Sequence, residues 1–289
     1  MLFKKDDKKE EKVKEPQYYL SATNMQTLNY KVYYMSKKEK ILYFILAFVV
    51  GAAVGFLFYG GIGKNEFGEP TVITWVLDIT IPVIVGSVAG ILFLPMKTKS
   101  IIQKRAKELN RQFRDMLEAL TTSLGAGKNV NDAFFAVYED LKVMYDEEAF
   151  ILKELEVIIS GIHNNIAIEA LLADFGNRSD NDDIKCFANI FKISYRKGGN
   201  IKDIIRNTHS ILSEKMEISE DIETLVTSNK TEQNIMIVMP ILLIGVIKMM
   251  SPEFAANFVT PSGIASTTVS IVIFVIAYYV GKQVLDIKI

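Results

Sequence analysis

Few residues in this chain could do chemistry, and the spacings that would put them to work are missing. A loop that cradles phosphate needs Gly, four residues, then Gly-Lys and a Ser or Thr. In such a loop backbone amides wrap the phosphates, the lysine reaches them and the hydroxyl holds magnesium. Two stretches approach this pattern. GGIGKN from Gly60 has Asn65 in the hydroxyl position and Phe58 where the first glycine belongs; GAGKNV from Gly125 has Asn129 and Thr122 there. His163 and His209 have no Cys, Ser or carboxylate at the spacing of a triad or metal site. Asp180, Asp182 and Asp183 lack the glycine and terminal Glu of a calcium loop. Cys186 is the single cysteine, which excludes an internal disulfide and a thiolate cluster. The expectation is a chain that is not an enzyme and holds no metal or cofactor. Lys+Arg 33 against Asp+Glu 34, a net charge of −1, gives no basic surplus to attract phosphates, so nucleic acid is not an expected partner.

The elements that carry these residues are announced by hydropathy. Of the 289 residues 49% are hydrophobic, and they gather into four blocks, two before residue 95 and two after residue 235. Ile41 to Gly63 is uncharged, and at about 1.5 Å per residue it exceeds a hydrocarbon core of roughly 30 Å. Trp75 to Leu94 carries only Asp78 and the interior Pro82. With Ile235 to Met250 and Ile264 to Val280 these predict four transmembrane helices, arranged as residues 41–95 and 235–289. The first block begins too late and runs too long for a cleaved signal peptide. Ten lysines precede Ile41, and Lys97, Lys99, Lys104 and Arg105 follow the second block, whereas Lys64 to Thr74 holds one lysine. By the excess of basic residues on the inner side, both termini and the middle of the chain are expected to be cytoplasmic. Residues 1–40 mix both signs with little apolar content and predict a disordered region whose lysines could touch membrane lipid.

Two signals lie within the spans. Gly51 and Gly55, and Gly86 and Gly90, form GxxxG pairs that let backbones approach where apolar burial supplies no drive. They favour packing of the first two spans against each other over dimerisation. Asp78 and Lys248 sit near the outer edge of their spans, and either pair with each other or reach individually to the interface.

Residues 96–234 read as a soluble helical bundle without proline, its apolar positions recurring at three and four: Leu109, Phe113, Met116, Leu117, Leu120. An internal repeat marks it. SLGAGKNVNDAF from Ser123 aligns with SYRKGGNIKDII from Ser194, matching Ser, Gly, Asn and Asp. Each copy predicts a helix, a glycine stop and a new helix. Gly127 and Gly198 or Gly199 supply the left-handed turn, Asn129 and Asn200 the N-cap oxygen, and Asp132 and Asp203 the negative charge at the helix start. A third, weaker turn spans Gly161 to Asn165. Local capping accounts for all three; a functional reading would put one of them on an exposed rim against a partner.

The order of parts, all-α with 2+2 transmembrane helices flanking a helical bundle, resembles the type II secretion system F family, in particular the platform proteins of Tad-type (tight adherence) pili. The residues that carry the likeness are FRDMLEALTTSLGAGKNVNDAF from Phe113, FANIFKISYRKGGNIKDIIRNTHSIL from Phe187 and NIMIVMPILLIGVIKMMSPEF from Asn234. The sequence departs from the family pattern at Ile204, where Ala is frequent, and in its charged N-terminus. The resemblance implies a multi-pass platform in a prokaryotic cell membrane. It would couple a separate cytoplasmic secretion ATPase to assembly of pilin-like subunits, acting with a sister platform protein or another copy of itself. A membrane subunit of a transporter or permease is the alternative.

Overall fold

The computed structural model describes residues 15–21, 23–64 and 69–285. The chain forms two compact units. Among the described residues, one comprises those up to 34 together with 100–213, the other 35–99 together with those from 214 on. The fold is nearly all-α, and among the described residues four helices are long and apolar enough to cross a membrane.

The second unit holds these spans. Helix α1 (Lys37–Tyr59) opens with a capping box: Ser36 Oγ accepts from the Glu39 amide and the Glu39 carboxylate accepts from the Ser36 amide. It stops four residues short of the predicted Gly63, because Gly61 (φ +90°) and Gly63 (φ +85°) turn the chain through left-handed conformations that a helix cannot include. Helix α2 (Val72–Gly125) passes unbroken through Pro82 and Pro95 and so crosses the predicted boundary at residue 95. Near the other end of the chain, α7 (Ile201–Met250) likewise runs through the predicted junction at 234 and through Pro240. Both helices contribute residues to both units. The connection after α7 contains a short helix, α8 (Pro252–Phe258), capped by Ser251, whose hydroxyl accepts from the Phe254 amide. The chain then enters α9 (Pro261–Leu285).

The first unit is built from the end of α2 and the start of α7 with four shorter helices between them. These are α3 (Val130–Met144), α4 (Phe150–His163), α5 (Ile168–Arg178) and α6 (Asp182–Arg196). Their apolar stripes meet in one core, with Phe113 of α2 edge-on to Phe175 of α5 at 6.1 Å and to Phe187 of α6 at 5.5 Å. Leu109, Met116, Phe134, Leu141, Leu155 and Ile205 are fully or almost fully buried around them.

The N-terminal region corrects the expectation of disorder over residues 1–40. Residues 1–14 lie outside the described residues, but Tyr18–Leu20 (β1) pairs antiparallel with Gln26–Leu28 (β2), and Tyr30 and Met35 are buried. Aromatic anchors explain the order: the charged composition near the start hides Tyr30, whose ring meets Phe150 edge-on at 5.7 Å.

Candidate functional site

In the membrane-type unit, three helices converge on the end of α1. A helix C-terminus leaves carbonyls without intrahelical donors, and here Lys248 of α7 supplies one: its Nζ donates to the Leu57 carbonyl at 2.7 Å and lies near the Phe58 carbonyl at 3.4 Å. The same ammonium sits 4.7 Å above the Phe258 ring. Asp78 of α2 accepts from the Gly61 amide at 2.7 Å, and Tyr59 shares a 3.0 Å hydrogen bond with Thr268 of α9. No ion pair joins Asp78 to Lys248 among the described residues, which corrects the pairing considered from sequence. Each charge instead finds a backbone group at the same turn, a partner that sequence spacing does not reveal.

Below this junction α1 and α2 approach closely at the four glycines. A Cβ at Gly51 would lie 2.7 Å from Ala89 Cβ and 3.1 Å from Gly86 Cα, and one at Gly55 3.3 Å from Pro82 Cα. At Gly86 it would meet the Phe48 carbonyl at 2.7 Å, and at Gly90 the Phe44 ring at 2.5 Å. The approach leaves no room for a Cβ at Gly51 and Gly86, while at Gly55 a neighbour would have to give slightly and at Gly90 the Phe44 ring would have to move. Alongside lies an apolar cavity of about 550 Å³, lined by Val54 and Phe58 of α1, Ile237 and Ile241 of α7, and Phe274 and Tyr278 of α9. Its walls offer contact to apolar groups.

In the helical unit the two copies of the repeat adopt one hydrogen-bonded turn. Gly127 has φ +85° and Gly198 φ +70°. The following amides close the turn onto a carbonyl five residues back, Lys128 to Ser123 at 3.3 Å and Gly199 to Ser194 at 2.8 Å. Gly198 is thus the left-handed residue of the second copy, while Gly199 packs against Ser194. Asn129 caps α3 by accepting from the Asp132 amide at 2.9 Å; Asn200 stands 3.4 Å from the Asp203 amide, and both Asn side chains also donate to the Asp carboxylates. The third turn is wired alike, with Ile166 donating to the Gly161 carbonyl at 2.9 Å and Asn165 taking the left-handed place at φ +56°. The side chain of Lys202, from the second copy, reaches the first, where a Cβ on Gly125 would stand 3.8 Å from its Nζ. Nothing lies within 4 Å of a Cβ on Gly127 or Gly198, so both open outward.

A buried polar cluster escaped the sequence reading. Arg178 grips Glu154 with two parallel bonds, 2.9 and 2.7 Å, and reaches Asp174 at 2.9 Å. Glu154 is 2% exposed and Arg178 5%. Tyr30 donates to Glu154 at 2.9 Å, and its amide donates to the Arg178 carbonyl at 3.1 Å, which ties the N-terminal segment to α4 and α5. Burial, reinforced by the Glu154 charge, holds the Tyr30 phenol well above its ordinary pKa. Burial opposes ionisation of Arg178, but its hydrogen bonds to Glu154 and the nearby carboxylate charges outweigh it and raise the guanidinium. A signal was present in the sequence. Glu154 falls on the stripe Ile151, Leu155, Ile158, and Arg178 extends the stripe Leu171, Leu172, Phe175.

His163 lies tilted against Phe135, with ring centroids 4.9 Å apart and planes at 55°, and His209 Nε2 lies 3.9 Å from a Glu118 carboxylate oxygen. Among the described residues no group of three His, Cys, Asp or Glu is arranged to hold a metal ion. No family model, curated protein or solved structure matches the chain.

Proposed function

We propose that this chain is a membrane platform of a Tad-type pilus or related type II secretion-like machine, passing work from a cytoplasmic ATPase to the assembly of pilin-like subunits. The observation that carries the reading is the combination of four apolar helices, two on each side of a helical unit, with two of those helices continuing unbroken into that unit. A rigid helix resists bending and carries displacement along its length, so α2 and α7 suit transmission better than flexible linkers would. In this reading the helical unit is cytoplasmic and meets the ATPase, the spans lie in a prokaryotic cell membrane, and the working assembly includes a sister platform protein or further copies. The repeated turns, with their open glycines, are the rim assigned to the ATPase. The apolar cavity along α1, α7 and α9 supports contact with the membrane segment of a pilin-like subunit.

The test is crosslinking of the tagged chain in its native membrane, followed by mass spectrometry of what is captured through residues 96–234. Capture of a secretion ATPase, a sister platform protein or a pilin is expected. Recovery of a transport ATPase in their place would support the permease reading and sink this one.

A further inference from the structure

We propose that the helical unit docks onto a second copy of itself through two faces of opposite charge, the end of α3 on one copy and the outer face of α6 on the other. Each face has an exposed apolar centre of the kind that a partner covers. On α3 the core takes Ala133, Phe134, Val137 and Leu141. Val143 and Met144, on the last turn, are left 89% and 66% exposed. Glu139 and Asp140 stand one turn earlier and Asp146, Glu147 and Glu148 follow in the loop, all exposed, against one base, Lys142. Lys142 lies 5.4 Å from the Tyr138 ring and Glu148 pairs with Lys153, so these two charges are engaged locally. Glu139, Asp140, Asp146 and Glu147 form no ion pair among the described residues.

On α6 the core takes Ile184, Phe187, Ala188 and Phe191. The opposite side presents Ile190 and Ile193, the latter 56% exposed, in line with exposed Cys186 at spacings of four and three. Beside that stripe run Lys185, Lys192 and Arg196, with Lys197 beyond, and no acid occurs between Lys185 and Lys197. Arg196 is used by Glu169 at 3.1 Å; the three lysines form no ion pair among the described residues.

The occupant follows from the match. An apolar pair ringed by carboxylates and an apolar pair flanked by ammonium groups lie on the same chain, so either face of one copy complements the other face of the next. Acid against acid or base against base would repel, which excludes a contact of either face with itself and leaves the end of α3 against α6. A reciprocal pair of such contacts closes as a twofold dimer, and a head-to-tail one repeats into a ring or arc. Such association holds whichever machine the chain serves.

The test uses the full chain in detergent at low salt, with Met144→Cys added to the native Cys186. Mild oxidation is expected to link copies, as a ladder for head-to-tail contact or as a dimer for the reciprocal one, with no linking in wild type or in Met144→Cys with Cys186→Ser. Reversing Glu139, Asp140 and Glu147 to Lys, or separately Lys185, Lys192 and Lys197 to Glu, should remove the linked species and weaken association by about a hundredfold. Mixing the two reversed chains should restore linking, because both faces of each then meet opposite charge on the other, which also establishes that both are folded. Absence of linked copies, linking that survives both reversals, or failure of the mixture to recover would overturn the proposal.

Discussion

Glu154 and Arg178 have a large stake in the helical unit, because each is a buried charge compensated by the other and its neighbours. Removing one partner strands the other, at a cost of about 3–5 kcal/mol. Glu154→Ala should therefore accelerate amide hydrogen exchange over α4 and α5. Replacing the cluster as a whole, with Tyr30→Phe, Glu154→Met and Arg178→Met together, should bring exchange back near the parent rate. Equal acceleration in both would show that packing, not the stranded charge, sets the cost. The period of the apolar stripes placed both charges on buried faces, but the partnership was not legible. The two residues lie 24 positions apart and Tyr30 lies 124 from Glu154, and nothing local encodes such a distance. A second phenol gives a pH signature. Burial first, then its hydrogen bond to Asp115, pushes Tyr145 up to about 12 from 10.0. The unfolded phenol ionises near its ordinary value while the folded one keeps its proton, so this stability is complete below pH 10 and is lost as pH climbs toward 12. Thermal midpoints measured across that window should fall less steeply for Tyr145→Phe than for wild type.

Elements were legible wherever a stop signal coincided with a change of hydropathy, and not elsewhere. Gly127 and Gly198 mark turns because the left-handed residue of the motif favours glycine, and the shared Asn and Asp positions follow from capping the next helix. Residues 95 and 234 offered a hydropathy change without a stop. Pro95 lacks a donor, yet a membrane-type helix absorbs that loss, and the chain stays helical through both junctions. The continuous α7 is where transmission can be tested. Inserting Gly-Gly after Ser219 adds residues that cost about 2 kcal/mol in helix propensity and turns everything beyond them by roughly 200°. Filament assembly should be lost while the protein still inserts in the membrane. An insertion of seven alanines, close to two full turns, returns the two ends to nearly the same phase and should restore part of the assembly. If the Gly-Gly chain assembles filaments normally, α7 is not the transmitting element.

At the scale of the whole molecule the sides of the membrane decide between a platform worked from within and any other arrangement, and a single native thiol makes this measurable. Cys186 is exposed on α6 in the helical unit, whereas Ser262 lies at the start of α9, in the connection that the basic-residue asymmetry directs outward. An impermeant maleimide applied to intact cells should leave the wild-type chain unlabelled and modify it once the membrane is opened. In a Cys186→Ala background, Ser262→Cys should label in intact cells, while Ser219→Cys should behave like the native thiol. The proposed contact between α3 and α6 would also shield Cys186, so the opened-cell sample must be labelled at high salt, where screening loosens that contact and leaves only the membrane as a barrier. Labelling of Cys186 in intact cells would put the helical unit outside, where no cytoplasmic ATPase can reach it, and the platform reading would fall with it.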